Sequence, residues 1–76
     1  MEHLHGIIEK LNEARVKRGM SSAELARRAN MTAIALTSTF RHERSLQADE
    51  LVRIGRALGV SLDRLLQIDD KTTHGG

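Results

Sequence analysis

The chain has 76 residues, a length that predicts one domain with no room for a second. Apolar residues make up 39% and charged residues 29%, a composition that argues against a disordered chain or a membrane protein. The absence of cysteine removes a disulfide framework and a thiolate metal site, and predicts a reducing, cytoplasmic setting. With no proline and Phe40 as the single aromatic residue, a β-sandwich or barrel is disfavoured and helices are expected. The longest apolar run is too short to cross a bilayer, and the N-terminus lacks a charged-then-apolar secretion pattern.

Leu4, Ile7, Ile8, Leu11 and Ala14 follow the spacing of one helix face, predicting helix one over roughly Leu4 to Arg18, stopped by Gly19. Ser21, Ser22, Ala23 and Glu24 form a capping-box pattern in which the serine oxygen accepts an early N–H while Glu24 reaches back. Helix two runs from there through Leu25 and Ala26 to about Ala29, and Asn30 follows where a tight turn wants positive φ. Thr32 is a candidate N-cap for helix three, which extends to about Arg41 with Leu36 and Phe40 on one face. After the polar stretch 42–45, Leu51, Ile54, Ala57 and Leu58 mark helix four, stopped by Gly59. Ser61 caps a fifth helix carrying Leu62, Leu65 and Leu66. Gly55, inside helix four, costs about 1 kcal/mol against alanine and predicts a close helix crossing. Residues 1–68 form the expected domain and 69–76 a tail that cannot pack.

The formal net charge is only +2, but it is unevenly spread. Between Arg15 and Arg44 stand Arg15, Lys17, Arg18, Arg27, Arg28, Arg41 and Arg44 against Glu24 and Glu43, while both flanks are weakly acidic. Such a segment reads either as a footprint for a polyanion or as a solvated helix surface.

The run from Arg18 to Thr32 (RGMSSAELARRANMT) and the run from Ala48 to Leu66 (ADELVRIGRALGVSLDRLL) resemble the Cro/C1-type, or XRE-like, helix-turn-helix family of phage repressors and bacterial regulators. The resemblance covers about Leu4 to Leu66 and implies an all-α, five-helix, lambda-repressor-like domain whose third helix enters the DNA major groove. It implies that Ala33, Ile34, Thr37 and Ser38 face base edges, and that Ser22, Thr32, Arg41, His42, Arg44 and Gln47 face the DNA backbone. None of the four base-facing residues offers the bidentate fork of arginine, glutamine or asparagine, so thin direct readout and a larger share for DNA shape are expected. The chain departs from the family at three positions. Ser22 stands where a glutamine is common, Thr39 where a large aliphatic residue or tryptophan is common, and Phe40 where a glutamate commonly pairs with an arginine corresponding to Arg15. The expectation is that Phe40 has taken over the core position from Thr39, with the Arg15 guanidinium over its ring. The compact Ner-type phage regulators resemble this chain in that small-then-large order.

His3 and His5 lack a third ligand at useful spacing, so no metal site is expected. His42, beside Arg41 and Arg44, either reaches a phosphate or stands idle in a loop. No nucleophile elbow, phosphate loop or H-E-x-x-H pattern is present, and neither enzymatic activity nor a cofactor or small-molecule ligand is expected. Leu62, Leu65, Leu66 and Ile68 are either part of a dimer seam or the lid of the core. The leading expectation is a sequence-specific repressor of the phage or prophage kind, acting as a homodimer on double-stranded operator DNA. The other is a protein-binding module, such as an antitoxin or anti-repressor, that meets its partner through Ala33, Ile34 and Ala35.

Overall fold

Helices α1 (Glu2–Lys17), α2 (Ser22–Arg28), α3 (Ala33–Phe40) and α4 (Ala48–Leu58) are followed by a fifth, α5, described over 62–65. The computed structural model describes residues 2–65, with side chains from Gly6 onward. Leu66, Ile68, the tail 69–76 and the His3 and His5 side chains lie outside the described residues. Among the described residues there is no strand, and no helix is long and apolar enough to cross a membrane.

The four helices α1–α4 stop in one manner, with 6→1 and 5→2 hydrogen bonds around a residue of positive φ. At the end of α2, Met31 N–H donates to the Ala26 carbonyl at 2.8 Å and Asn30 N–H to that of Arg27 at 3.2 Å, with Asn30 at φ 58°. Glu43 and His42 close α3 on Ser38 and Thr39 at 2.8 and 3.0 Å, and Val60 and Gly59 close α4 on Gly55 and Arg56 at 3.0 and 3.2 Å. Met20 and Gly19 do the same for α1 at 3.1 and 2.9 Å. This Schellman closure satisfies carbonyls that a helix end otherwise leaves orphaned and turns the chain sharply onto the next element. The stops expected at Gly19, Asn30 and Gly59 are all present. The fourth falls on His42, at φ 62°, where the sequence carries no glycine or asparagine signal.

The core takes one fully buried leucine or isoleucine from each of the four helices: Leu11, Leu25, Leu36 and Ile54. Ile7, Ile8, Ala26, Ala29, Leu46, Leu58 and Leu65 surround them. Helix α2 packs on both α3 and α4, and α1 crosses behind on α3 and α4. Ala26, 1% exposed, is the small residue that lets the two motif helices approach.

Two local expectations change. At the start of α2 the Ser21 hydroxyl accepts from Glu24 N–H at 3.0 Å, but the Glu24 carboxylate turns to Arg28 at 2.7 Å rather than back to the cap. A guanidinium within reach on the next turn outcompetes a neutral N–H for a carboxylate. Second, Thr39 keeps its core position at 1% exposure and Phe40 is only half-buried. Threonine can be buried there because its hydroxyl donates to the Ala35 carbonyl at 2.9 Å and accepts from Arg44 at 2.8 Å, leaving no orphaned polar group. The Arg15 guanidinium does lie over the Phe40 ring, 5.9 Å from its centre. In the described part of α5, Leu65 belongs to the core and Leu62 packs over Gly55.

Gly55 is buried, and a Cβ added there would lie 2.8 Å from Leu62 Cδ2, the crossing the sequence implies. That atom ends a flexible side chain and can move. Urea denaturation should therefore find Gly55→Ala within about 1 kcal/mol of wild type, because the gain in helix propensity offsets the displacement of Leu62. Gly55→Val, which cannot be absorbed so easily, should lose roughly 1–3 kcal/mol.

Candidate nucleic-acid interface

Helix α3 begins at Thr32, whose hydroxyl accepts from Ala35 N–H at 3.0 Å. With Leu36 and Thr39 directed into the core, helical geometry turns the residues across the helix axis from them outward. Ala33, Ile34, Thr37 and Ser38, the four residues expected to face base edges, line one shallow hollow, and Arg41 joins them at its rim. Ile34 is 80% exposed, an unusual place for a large aliphatic side chain.

The backbone-facing candidates sit around this surface at element ends. Thr32 is exposed at the α3 N-terminus and Ser22, half-buried, lies in the first turn of α2. Arg41 and His42 are exposed in the α3 stop, and Gln47 is exposed at the N-cap of α4.

Arg44 is differently placed. Its Nη1 donates to Thr39 Oγ1 at 2.8 Å and to Glu50 Oε1 at 3.1 Å, and its Nη2 donates to Glu50 Oε2 at 2.9 Å. Glu50 Oε1 also accepts from Gln47 N–H at 3.0 Å, satisfying the first turn of α4. The Arg44 fork and the Gln47 N–H hold the Glu50 carboxyl below its usual range despite its burial, and Glu50 raises the Arg44 guanidinium in turn.

The sequence reading missed Glu50. Two signals were present: Gln47 and Glu50 have capping-box spacing, and Glu50 stands four residues before Ile54 on the buried face of α4.

The basic segment does not form one patch. Arg15 is tied to Asn12 Oδ1 and the Met20 carbonyl at 3.0 and 2.8 Å, and Arg28 to Glu24. Lys17 and Arg18 line a separate groove between α1 and the start of α5, with Lys10 and Arg64. Of the seven cations, Arg41 alone lines the α3 hollow. A second arginine, Arg53, ties α4 to the turn between α2 and α3: it donates to the Asn30 carbonyl at 3.5 Å and pairs with Asp49 at 3.2 Å.

A helix-turn-helix family model matches residues 11–65. Among solved structures, a point mutant of the restriction-modification controller protein C.Esp1396I has a similar fold, with a TM-score of 0.83 and 23% sequence identity, covering 99% of this chain and 97% of that one. No curated protein matches the sequence.

Because the Glu50 carboxyl is held below its unfolded value, its contribution to stability is fully present above the ordinary glutamate range and is lost as pH falls through the folded value. The urea midpoint of Glu50→Gln should thus lie below that of wild type at neutral pH. The gap should begin to shrink as the pH falls beneath about 4.3, where the unfolded side chain takes up its proton, and close once the pH has passed the lowered folded value. A gap of constant size down to about pH 3.5 would assign the loss to packing instead.

Proposed function

The chain belongs to the helix-turn-helix family of DNA-binding regulators, and we propose that within it the protein is a sequence-specific transcriptional repressor of the phage or prophage kind. The observation that carries this reading is the division of α3 into two faces. Leu36 and Thr39 are sealed into the core, while Ala33, Ile34, Thr37 and Ser38 share one open hollow with Arg41. A short helix held by one face and exposed along the other suits insertion into a major groove.

In this reading Ala33 and Ile34 contact thymine methyl groups, and Thr37 and Ser38 hydrogen-bond base edges. Ser22, Thr32, Arg41, His42, Arg44 and Gln47 set the register on the phosphates. His42 stands in the left-handed stop of α3 beside Arg41, on the same exposed loop. The protein works in the cytoplasm, without cofactor or catalysis, as a dimer on half-sites about one helical turn apart. Dimerisation uses the α5 side, with Leu65 retained in the core of each protomer. That a chain of the same fold serves as a restriction-modification controller supports a regulatory use of the scaffold.

The 80% exposure of Ile34 between two alanines favours a second reading, a protein-binding module that docks through this apolar stretch. Titration of a duplex at two salt concentrations separates the two. DNA binding should weaken steeply with salt, whereas an apolar protein contact should hardly respond.

Within the DNA reading, Arg41→Ala should weaken binding to all duplexes alike and reduce the salt slope by about one. Ser38→Ala should instead relax preference at a single base pair in a selection from random duplexes. Equal losses on every sequence for Ser38→Ala would reject the proposed docking. His42→Gly should lower duplex affinity while the far-UV circular dichroism stays that of the folded protein.

A further inference from the structure

Glu50 is a carboxylate inside the protein, 9% exposed, at the first turn of α4. Such a group is tolerated when it is paired and its oxygens are filled, and here both oxygens meet the Arg44 fork while one also takes the Gln47 N–H. Arg44 continues the chain of contacts to Thr39 Oγ1, and Thr39 donates to the Ala35 carbonyl within α3. A continuous hydrogen-bonded relay therefore runs from the start of α4, through the loop after α3, into the backbone of α3.

A guanidinium has five N–H donors. Two on Nη1 and one on Nη2 are engaged in this relay, which leaves the Nε–H and the second Nη2–H of a side chain that is 32% exposed. An arginine side chain in a loop ordinarily loses considerable rotamer freedom when it meets a phosphate. Here that freedom is already removed.

We infer that Glu50 is a positioning residue for DNA binding: it holds the Arg44 guanidinium beside the end of α3 so that its outer edge meets a DNA phosphate. This rests on the DNA-binding reading above and adds to it a residue that does not itself touch DNA. The sign of the effect distinguishes the role from simple electrostatics. A negative charge near a polyanion repels it, so neutralising Glu50 would tighten binding if only its field mattered. As a positioning residue, Glu50 strengthens binding, and neutralising it weakens binding.

The test measures affinity for a duplex enriched by the wild-type protein from a random pool. Wild type, Glu50→Gln, Arg44→Ala and the double variant are compared at several salt concentrations, at a temperature where circular dichroism shows each fully helical. Arg44→Ala should lower affinity and reduce the salt slope by about one. Glu50→Gln should weaken binding roughly three- to tenfold, the equivalent of re-immobilising one long side chain, with the salt slope unchanged. In the Arg44→Ala background it should have no further effect. Glu50→Asp, which keeps the charge but cannot span the fork, serves where Glu50→Gln fails to fold, and should weaken binding in the same way. Tighter binding by Glu50→Gln, an undiminished loss in the Arg44→Ala background, or an unchanged salt slope for Arg44→Ala would each overturn the inference while leaving DNA binding intact. Failure of the wild-type chain to bind any duplex would overturn the functional reading, and this inference with it.

Discussion

Leu36 has no exposed surface, and its burial among leucines and isoleucines of the other helices is what makes α3 a helix at all. Eight residues are too few to hold a helix in water by themselves, since nucleation costs more than so short a run of hydrogen bonds returns. The face of α3 that looks outward is therefore a consequence of the face that looks inward. Because Leu36 and Thr39 are fixed, Ala33, Ile34, Thr37 and Ser38 have no other direction to take. The left-handed turn at Asn30 sets the angle at which α3 leaves α2, and Arg53 braces that turn from α4 through the Asn30 carbonyl.

The chain lacks the ion pair that family members commonly make between the first and third helices, and two separate contacts stand in its place. Arg15 lies over the Phe40 ring while its N–H groups hold the Asn12 side chain and the Met20 carbonyl. Arg44, Glu50 and Thr39 tie the other side of the same helix end to α4. Together they anchor the last turn of α3 from both directions, with α1 on one side and α4 on the other. The second contact leaves the Arg44 guanidinium partly exposed.

The exposed face itself is sparing in polar chemistry. Two apolar residues and two hydroxyls can meet methyl groups and single hydrogen-bond positions but cannot grip a purine with two bonds at once, a fork that only Arg41 at the rim carries. In the proposed docking, recognition of this kind relies on accurate placement of the phosphate contacts, and Arg41, His42 and Arg44 of that proposal stand in the tight loop after α3, where His42 holds a left-handed backbone conformation.

Helix number, three of the four left-handed stops, the groups filling the core and the crossing at Gly55 could all be read from the sequence, because each depends on periodicity or on a residue's own conformational preference. The positions assigned to the open face of α3 came from the family resemblance, since spacing by itself paired Leu36 with Phe40 on one face. What the sequence could not decide was the partner of each charge. Seven cations close together in the chain end up on different faces, one over a phenyl ring, one clamped by a buried carboxylate, two around a distant groove. Thr39 was misplaced on the same account, since its burial becomes favourable only when Arg44 arrives to satisfy the hydroxyl. Short-range preferences belong to the residue and its nearest neighbours. The pairing of a long, flexible charged side chain depends on which groups folding brings within about 3 Å, and that distance is a property of the tertiary structure alone.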